Sequence, residues 1–436
     1  MAWDKRKGIT EFIVLSVLLL SAFLFLFTCW GVTDSASEMV SILIVISGSV
    51  LVLAGFGHRV SGMQCAILYT GYLVRCICML VDIYGRSYIT LLHSGGDSET
   101  FSGHASALYE GNMSGSVSTK YPYVINWIYH VAGENRLCAQ YINVVLWVLS
   151  AWVLVRICSR FKVAENNRNI IYAIWALLPT GILLSGILMR ESAEMFFGMW
   201  SFERFLYWMQ EGRRKYCIQA FLCVVPAVIL HSASVALWVT YVLVIMFWNV
   251  REQRYMWQVK SCFVFPVCLV GMMLARGTPL WTILFAKLGG DFSLYGITHR
   301  GFYSAGSDYL ANMDCQSWLQ FVPYTLVRMF YFLFSPLPVD ARGIKDIAIF
   351  LADGLPLAVV ICQSLAWVRR KKEIRGYAGA ALLGGLSFAG IFAWGVRNAG
   401  TALRHRYLAW SIFLAALCIC CGYSSEEETE AEKNVI

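Results

Sequence analysis

Apolar runs of about 18 or more residues recur along this chain, and they constrain its fold more than any other feature. A run of that length crosses a bilayer as one helix, because a helix satisfies its own backbone hydrogen bonds where no water can do so. Hydrophobic residues make up 58% of the chain and charged residues only 14%, which is typical of a membrane protein. The sequence therefore predicts an all-α, polytopic integral membrane protein.

The apolar runs give about 11 to 13 predicted transmembrane helices, which we place in a single transmembrane domain covering residues 1–422. The first run follows a basic amino terminus and has no small-residue cleavage site, so we expect a retained helix rather than a signal peptide. Residues 423–436 are acidic and polar and are predicted to form a disordered tail. The helices are expected near residues 11–30, 39–56, 63–84, 138–158, 169–188, 192–209, 216–230, 233–249, 261–276, 318–334, 346–368, 377–396 and 404–422.

The basic residues indicate which side of the membrane each loop faces, because Lys and Arg collect in cytoplasmic loops. Basic loops occur at the amino terminus and near residues 156–168, 213–215, 251–260 and 369–372. Alternation from a cytoplasmic amino terminus places the long segment 85–136, poor in Lys and Arg, outside the membrane. A second large loop covers residues 277–317. The net charge of +8 is thus explained by topology, and nucleic acid is not an expected partner.

The outer loop 85–136 carries the largest polar surface of the amino-terminal half. Two acids, Asp97 and Glu99, open a predicted short helix there. Apolar residues spaced for one helical face follow them, and they are Phe101, Ala105 and Leu108. We therefore expect an interfacial helix that presents an acidic first turn on the outer side of the membrane.

A second apolar segment of the same loop, Tyr123 to Val131, follows Pro122. It is too short to cross a bilayer, so it is predicted to lie along the outer membrane surface. The loop is thus expected to supply two juxtamembrane helices to an exoplasmic site.

An adjacent charged pair, Arg190 and Glu191, stands between two apolar runs. Placing a charged residue next to membrane-spanning segments costs free energy, so such a residue usually has a function. A local ion pair at the start of a helix is the structural alternative. We predict that the pair lies near the membrane surface and belongs to a reaction centre.

Further polar residues with functional potential lie late in the chain or beside a helix break. His231 falls at an expected break, where a purely structural role is equally open. Arg397, Arg404 and Arg406 stand at the start of the last predicted span. A forked guanidinium matches phosphate oxygens, although such residues also serve as topology or headgroup anchors.

Two more charges, Arg75 and Asp82, lie seven residues apart within one predicted span and hence on one helix face. They predict an inward polar strip with an architectural role. An internal partner such as Asp353 would make a buried pair that fixes the helix register, although transporters also use such residues.

The order of these features resembles the GT-C glycosyltransferases. Those enzymes carry an acid in the first large outer loop and often a second acid in the next outer loop. They use these acids to transfer sugar from a polyprenyl-phosphate or polyprenyl-diphosphate carrier. The positions that match this pattern are Asp97 and Glu191. The resemblance implies a GT-C-like architecture with exoplasmic juxtamembrane helices.

A closer resemblance, over roughly residues 95–248, is to the EpsG-like exopolysaccharide polymerases and glycosyltransferases. Asp97 and Phe101 match their spacing of an acid four residues before an aromatic residue, although Tyr is usual at the second position. The order of Arg190, the basic loop 213–215 and His231 also matches. The resemblance implies a place in the bacterial cytoplasmic membrane and a role in surface polysaccharide assembly, with other assembly proteins as potential partners.

The implied reaction transfers a sugar or oligosaccharide from the lipid carrier to a saccharide acceptor. Asp97 is the expected base, and Glu191 orients Arg190 or the acceptor. The residues expected to bind the lipid phosphate or the substrate are Arg190, His231, Arg397, Arg404 and Arg406. The sequence identifies no definite cofactor, and it leaves open whether Asp97 with Glu191 instead holds a divalent cation such as Mg²⁺ or Mn²⁺.

Three structural or functional alternatives remain open at the level of sequence. Asp97 has the position of a residue that caps the following helix. A flippase for lipid-linked oligosaccharides also needs many spans and basic residues in a cavity, although transporters commonly carry internal repeats that we do not find here. A non-catalytic membrane scaffold of polysaccharide assembly is the third.

Overall fold

The structure of the chain is a computed structural model. It describes residues 36–113, 117, 119–275, 278, 293–298, 306–310 and 313–433. Of these, residues 36, 37, 39, 265, 269, 272, 275 and 423–433 are described by their backbone alone. The predicted first helix, the cytoplasmic amino terminus and much of the predicted loop 277–317 lie outside the described residues. The chain is mostly helical, at 79%, which confirms the prediction of an all-α membrane protein.

The described chain divides into two compact units, which the sequence does not predict. The first unit contains residues up to Val155 together with Glu165–Ala193. The second contains Arg156–Ala164 and the chain from Glu194 onwards.

The helices of the first unit begin with two candidate spans and continue through the predicted outer loop. They are α1 Ala36–Gly57, α2 Gly62–Tyr84, α3 Gly96–Tyr109, α4 Tyr121–Ala132, most of α5 Arg136–Arg160, α6 Glu165–Leu177 and α7 Pro179–Gly186. The short helices α3 and α4 occupy the two parts of the segment 85–136 for which the sequence predicts juxtamembrane helices.

The second unit contains nearly all of the helix that begins at the charged pair, and everything after it. Its helices are α8 Glu191–Glu211, α9 Arg214–Cys223, α10 Val225–Leu230, α11 Val235–Phe247, α12 Val259–Ala275, α13 Leu294–Thr298, α14 Trp318–Phe334, α15 Ile344–Ile349, α16 Leu355–Arg370, α17 Arg375–Gly395 and α18 Ala399–Lys433. Short 3-10 turns cover Ser232–Ser234 and Pro338–Asp340, and a π-helical turn, Phe350–Gly354, joins α15 to α16. The strands β1 Trp248–Asn249 and β2 Arg254–Tyr255 form an antiparallel hairpin.

Six described helices are long and apolar enough to cross a membrane, or seven if the bent pair α6 and α7 is one span. The sequence predicts about 11 to 13 spans over the whole chain. The predicted helix near residues 11–30 lies outside the described residues, and part of the remaining difference has a physical cause. Helix α8 carries Glu194, Glu203 and Arg204, and the run 216–230 is divided between α9 and α10 at the residues before Pro226. Hydropathy counts every apolar run, whereas a span must also be continuous and nearly free of charge.

Helix α2 lies at the centre of the first unit, where it packs against α1, α6 and α7. Gly71 permits the close approach of α2 to α6, because a Cβ atom there would lie 2.7 Å from the Cβ of Ala176. Arg75, fully buried, donates hydrogen bonds to the carbonyls of Gly71 at 2.8 Å and Ala176 at 2.6 Å. Pro179 interrupts the hydrogen bonding between α6 and α7, so Arg75 satisfies a carbonyl that this break leaves open.

In the second unit, α17 packs against α11, α14 and α18. Arg406 of α18 is fully buried and forms an ion pair with Asp353, which the π-helical turn presents. Asp353 thus pairs with Arg406, and the inward strip of α2 has other partners, described below. Helix α18 continues to Lys433 through the segment that the sequence predicts as a disordered tail, a segment rich in the helix formers Glu, Ala and Lys.

Candidate functional site

The acidic helix α3 presents one polar and one apolar face. Asp97 is exposed in its first turn, where a negative charge is favoured by the helix dipole. Phe101 and Ala105 are buried on the face that the sequence predicts, and Leu108 is half-buried. The residue at the N-cap position is Gly95, so Asp97 does not cap the helix.

Glu99, also in the first turn of α3, joins the helix to two arginines. It forms ion pairs with Arg86, just after α2, and with Arg136 at the start of α5, the latter at 2.5 Å. Arg136 in turn contacts the buried Asp82 of α2 at 3.2 Å. Partial burial works to raise the pKa of Glu99, but the hydrogen bonds and charges of Arg136 and Arg86 outweigh it and lower that pKa. The network thus holds α3 to the ends of α2 and α5.

Two buried amides on α5 extend this network towards the charged pair. Gln140 donates to Asp82 at 2.9 Å and to the carbonyl of Gly186 at 2.8 Å. Asn143, one turn later on the same face, donates to the carbonyls of Ile187 at 3.0 Å and Met189 at 2.8 Å. These bonds fix the short connection between α7 and the charged pair.

Asn143 also links this connection to helix α4. The hydroxyl of Tyr121, at the start of α4, donates to Asn143 at 3.2 Å. Burial raises the pKa of Tyr121, and the negative charge of Glu191 acts in the same direction. The ring of Tyr121 meets that of Phe101 edge-on at 5.4 Å. One side chain, Asn143, therefore positions both α4 and the residues that precede the charged pair.

Arg190 and Glu191 are both buried, with 8% and 3% of their surfaces exposed. The guanidinium carbon of Arg190 lies 6.0 Å from the ring centroid of Phe101, within the range of a cation–π contact. The structure thus brings the charged pair to the acidic helix, although nearly ninety residues separate them in the sequence. Among the described residues, no group of three or more His, Cys, Asp or Glu side chains is placed to hold a metal ion.

In the second unit, His231 lies at the break between α10 and the following 3-10 turn, as the sequence predicts, and is buried. Its ring lies 4.8 Å from that of His405 and 5.4 Å from that of Phe392. Phe332 extends this group, with its ring stacked on Phe392 at 5.1 Å. Two imidazoles therefore share one aromatic cluster around α17.

The three late arginines occupy different environments. Arg404 is half-buried. Arg397 is buried between α17 and α18 and donates to the carbonyl of Thr298 at 2.6 Å. Arg406 has 0% exposure and, besides Asp353, donates to the Leu333 carbonyl at 3.1 Å.

Several residues of the network are not identified by sequence reasoning. The first turns of helix α5 carry three of them, Arg136, Gln140 and Asn143. Their spacing of three and four residues places them on one helix face, and it is the only sequence signal that could have identified them. Their partners lie on other helices, which local sequence patterns cannot predict. Arg328, fully buried in α14, was also missed.

No protein-family model, curated protein or solved structure matches this chain.

Proposed function

We propose that this chain is a membrane glycosyltransferase or polysaccharide polymerase. It transfers sugar or oligosaccharide units from a polyprenyl-phosphate or polyprenyl-diphosphate carrier to a saccharide acceptor. The reaction takes place on the outer face of a bacterial cytoplasmic membrane, in the synthesis of a surface polysaccharide. The supporting observation is that the buried Arg190 lies against Phe101 of the exposed acidic helix α3.

The geometry of the first unit supports this proposal in three respects. Asp97 is accessible to an acceptor, because it is exposed in the first turn of α3. Arg190 and Glu191 are held beside that helix by a connection that Asn143 fixes. The helices α3 and α4 are both too short to span, which fits a site at the membrane surface.

In the proposed reaction, the acceptor hydroxyl oxygen forms a bond to the anomeric carbon of the donor sugar. The bond between that carbon and the carrier phosphate oxygen breaks, and its electron pair stays on the phosphate. Asp97 takes the proton of the acceptor hydroxyl, while Arg190 stabilises the charge on the departing phosphate. Glu191 orients Arg190.

A flippase for the same lipid-linked units is the second candidate. The observation that favours it is the bend of 49° between α6 and α7, because broken helices are common at transport sites. The two candidates differ in the leaflet where uncompleted intermediates collect.

The test compares cells that carry wild-type protein or Asp97→Asn at equal abundance in the membrane. Surface polymer and lipid-linked intermediates of each leaflet are measured. Glu110→Gln is the matched control, because Glu110 is an exposed acid at the other end of α3. We expect Asp97→Asn to abolish polymer and to accumulate lipid-linked units in the outer leaflet.

The outcomes separate the candidates. Accumulation in the cytoplasmic leaflet would favour the flippase. Normal polymer in Asp97→Asn would refute Asp97 as the base. Equal loss of polymer in Glu110→Gln would show that any change in α3 disrupts the protein.

A further inference from the structure

One buried cation of the second unit is incompletely satisfied. Arg328 of α14 has 0% exposure. Its Nη2 atom donates to the carbonyl of Met313 at 2.9 Å. Its Nε and Nη1 atoms have no hydrogen-bond partner within the part of the chain that the structure describes. A buried guanidinium ordinarily has all its donors occupied, so two open donors on one side chain are unusual.

The charge of Arg328 also lacks a close counter-ion. No carboxylate of the described chain forms an ion pair with it, although Arg406, equally buried, pairs with Asp353. The exposed Asp314 attracts Arg328 but does not form an ion pair with it. An uncompensated buried charge costs several kcal/mol, which a bound anion would offset.

A second buried cation lies near the first. Arg397 is close enough that its positive charge opposes that of Arg328. Burial lowers the pKa of Arg397, while Asp314 and Asp308 act in the opposite direction. The guanidinium fork matches the geometry of phosphate oxygens, so an oxyanion bound beside both arginines would relieve their repulsion.

Aromatic side chains fix the position of this pair. The guanidinium carbon of Arg328 lies 4.4 Å from the ring centroid of Trp394. The indole of Trp394 donates to Thr325 of α14 at 2.8 Å. The hydroxyl of Tyr309 donates to the carbonyl of Val396, next to Arg397. The open donors of Arg328 are therefore held on a rigid support, as an anion site requires.

We propose that Arg328 and Arg397 form an oxyanion site that binds the phosphate groups of the polyprenyl carrier. The presence of an oxyanion site follows from the open donors of Arg328, whereas the carrier as its occupant rests on the proposed function. Arg328 supplies the open N–H groups of its Nε and Nη1 atoms, and Arg397 supplies a second positive charge. This assigns phosphate binding to Arg328, a residue of α14 that precedes the late arginines in sequence.

The test measures binding of two probes to the full chain purified in detergent, namely inorganic diphosphate and geranylgeranyl diphosphate. We expect geranylgeranyl diphosphate to bind wild-type protein, and Arg328→Gln to weaken that binding at least about tenfold, as expected for lost charge-assisted hydrogen bonds. Arg328→Lys keeps the charge without the fork and should fall between the two. Arg254→Gln is the control, because Arg254 is exposed on the β-hairpin, and it should bind as wild type does.

A measurement on the wild-type chain keeps the test decisive if Arg328→Gln does not fold. A ligand of the native state raises the unfolding temperature, so geranylgeranyl diphosphate should do so at millimolar concentration. No shift and no binding of either probe would overturn the proposal, as would equal affinity in wild type and folded Arg328→Gln. Binding of inorganic diphosphate alone would overturn the carrier lipid as the occupant.

These results are separable from the test of the proposed function. Loss of polymer in Asp97→Asn together with unchanged probe binding in Arg328→Gln would leave the function standing and remove this site. Probe binding that depends on Arg328, together with normal polymer in Asp97→Asn, would leave this anion site standing and refute Asp97 as the base.

Discussion

Replacement of Asn143 by Leu tests whether the buried amide positions the charged pair. Asn143 is 1% exposed and satisfies two carbonyls, those of Ile187 and Met189, and the hydroxyl of Tyr121. Leaving one buried polar group unsatisfied costs about 1–3 kcal/mol, so three such groups imply a loss of about 3 kcal/mol or more. That energy corresponds to an increase of roughly 150-fold in the local opening equilibrium.

Hydrogen exchange read by mass spectrometry measures this opening directly, because peptides that cover residues 187–191 report on the connection itself. We expect faster exchange there in Asn143→Leu, together with reduced glycosyl transfer. Asn143→Asp keeps the acceptor for Tyr121 and loses the donors, so it should free the connection and retain the contact to α4. Ser150→Ala is the control, since Ser150 bonds to Trp147 within the same helix. Unchanged exchange over 187–191 in Asn143→Leu would refute the positioning role.

Two further predictions concern stability. Asp353→Leu and Arg406→Met should each cost about 3–5 kcal/mol, because each leaves a buried charge without its partner, and the double variant should cost less than the sum. Thermal unfolding of all four proteins measures this, and strict additivity would contradict the ion pair. The contacts of Glu99 hold its pKa below the usual value. Their full stabilising effect is therefore present at pH values above the usual glutamate pKa, and it is lost as the pH falls through the lowered pKa. Wild-type stability should therefore fall below about pH 4 more steeply than that of Glu99→Gln, and parallel pH profiles would count against the network.

The order of the helices and the short helices of the outer loop could be predicted from sequence, because both depend on local hydropathy and length. The buried face of α3 followed from the spacing of Phe101 and Ala105. Fewer helices of the described residues are long and apolar enough to span a membrane than the sequence predicts for the whole chain. A run of apolar residues signals burial, but it does not distinguish a continuous span from a broken or charged helix of the bundle.

The contacts that assemble the site could not be predicted, because each joins residues far apart in the chain. Asn143 reads as one polar residue in an apolar helix, and only the structure shows that it bonds to residues 187 and 189. The same limit applies to Arg406, which sequence reasoning assigned to phosphate. Its contacts with Asp353 and the Leu333 carbonyl are protein contacts that local patterns do not reveal.

The buried arginines differ in how many of their hydrogen-bond donors have partners and in whether their charge is paired. This difference distinguishes a structural role from the proposed ligand-binding role. Arg75 bonds to carbonyls at the break between α6 and α7, and Arg406 bonds to Asp353 and to carbonyls at the end of α14. Both stabilise a helix end at a place where water is scarce. Arg328 has the same burial, but among the described residues it forms no ion pair and both its Nε and Nη1 atoms are open, whereas Arg406 leaves only Nε open besides its ion pair. The contacts of Arg328 within the described chain therefore do not offset the free-energy cost of burying its charge. Arg328 therefore lowers the stability of the protein, and a ligand that binds its open donors best explains why the residue is there.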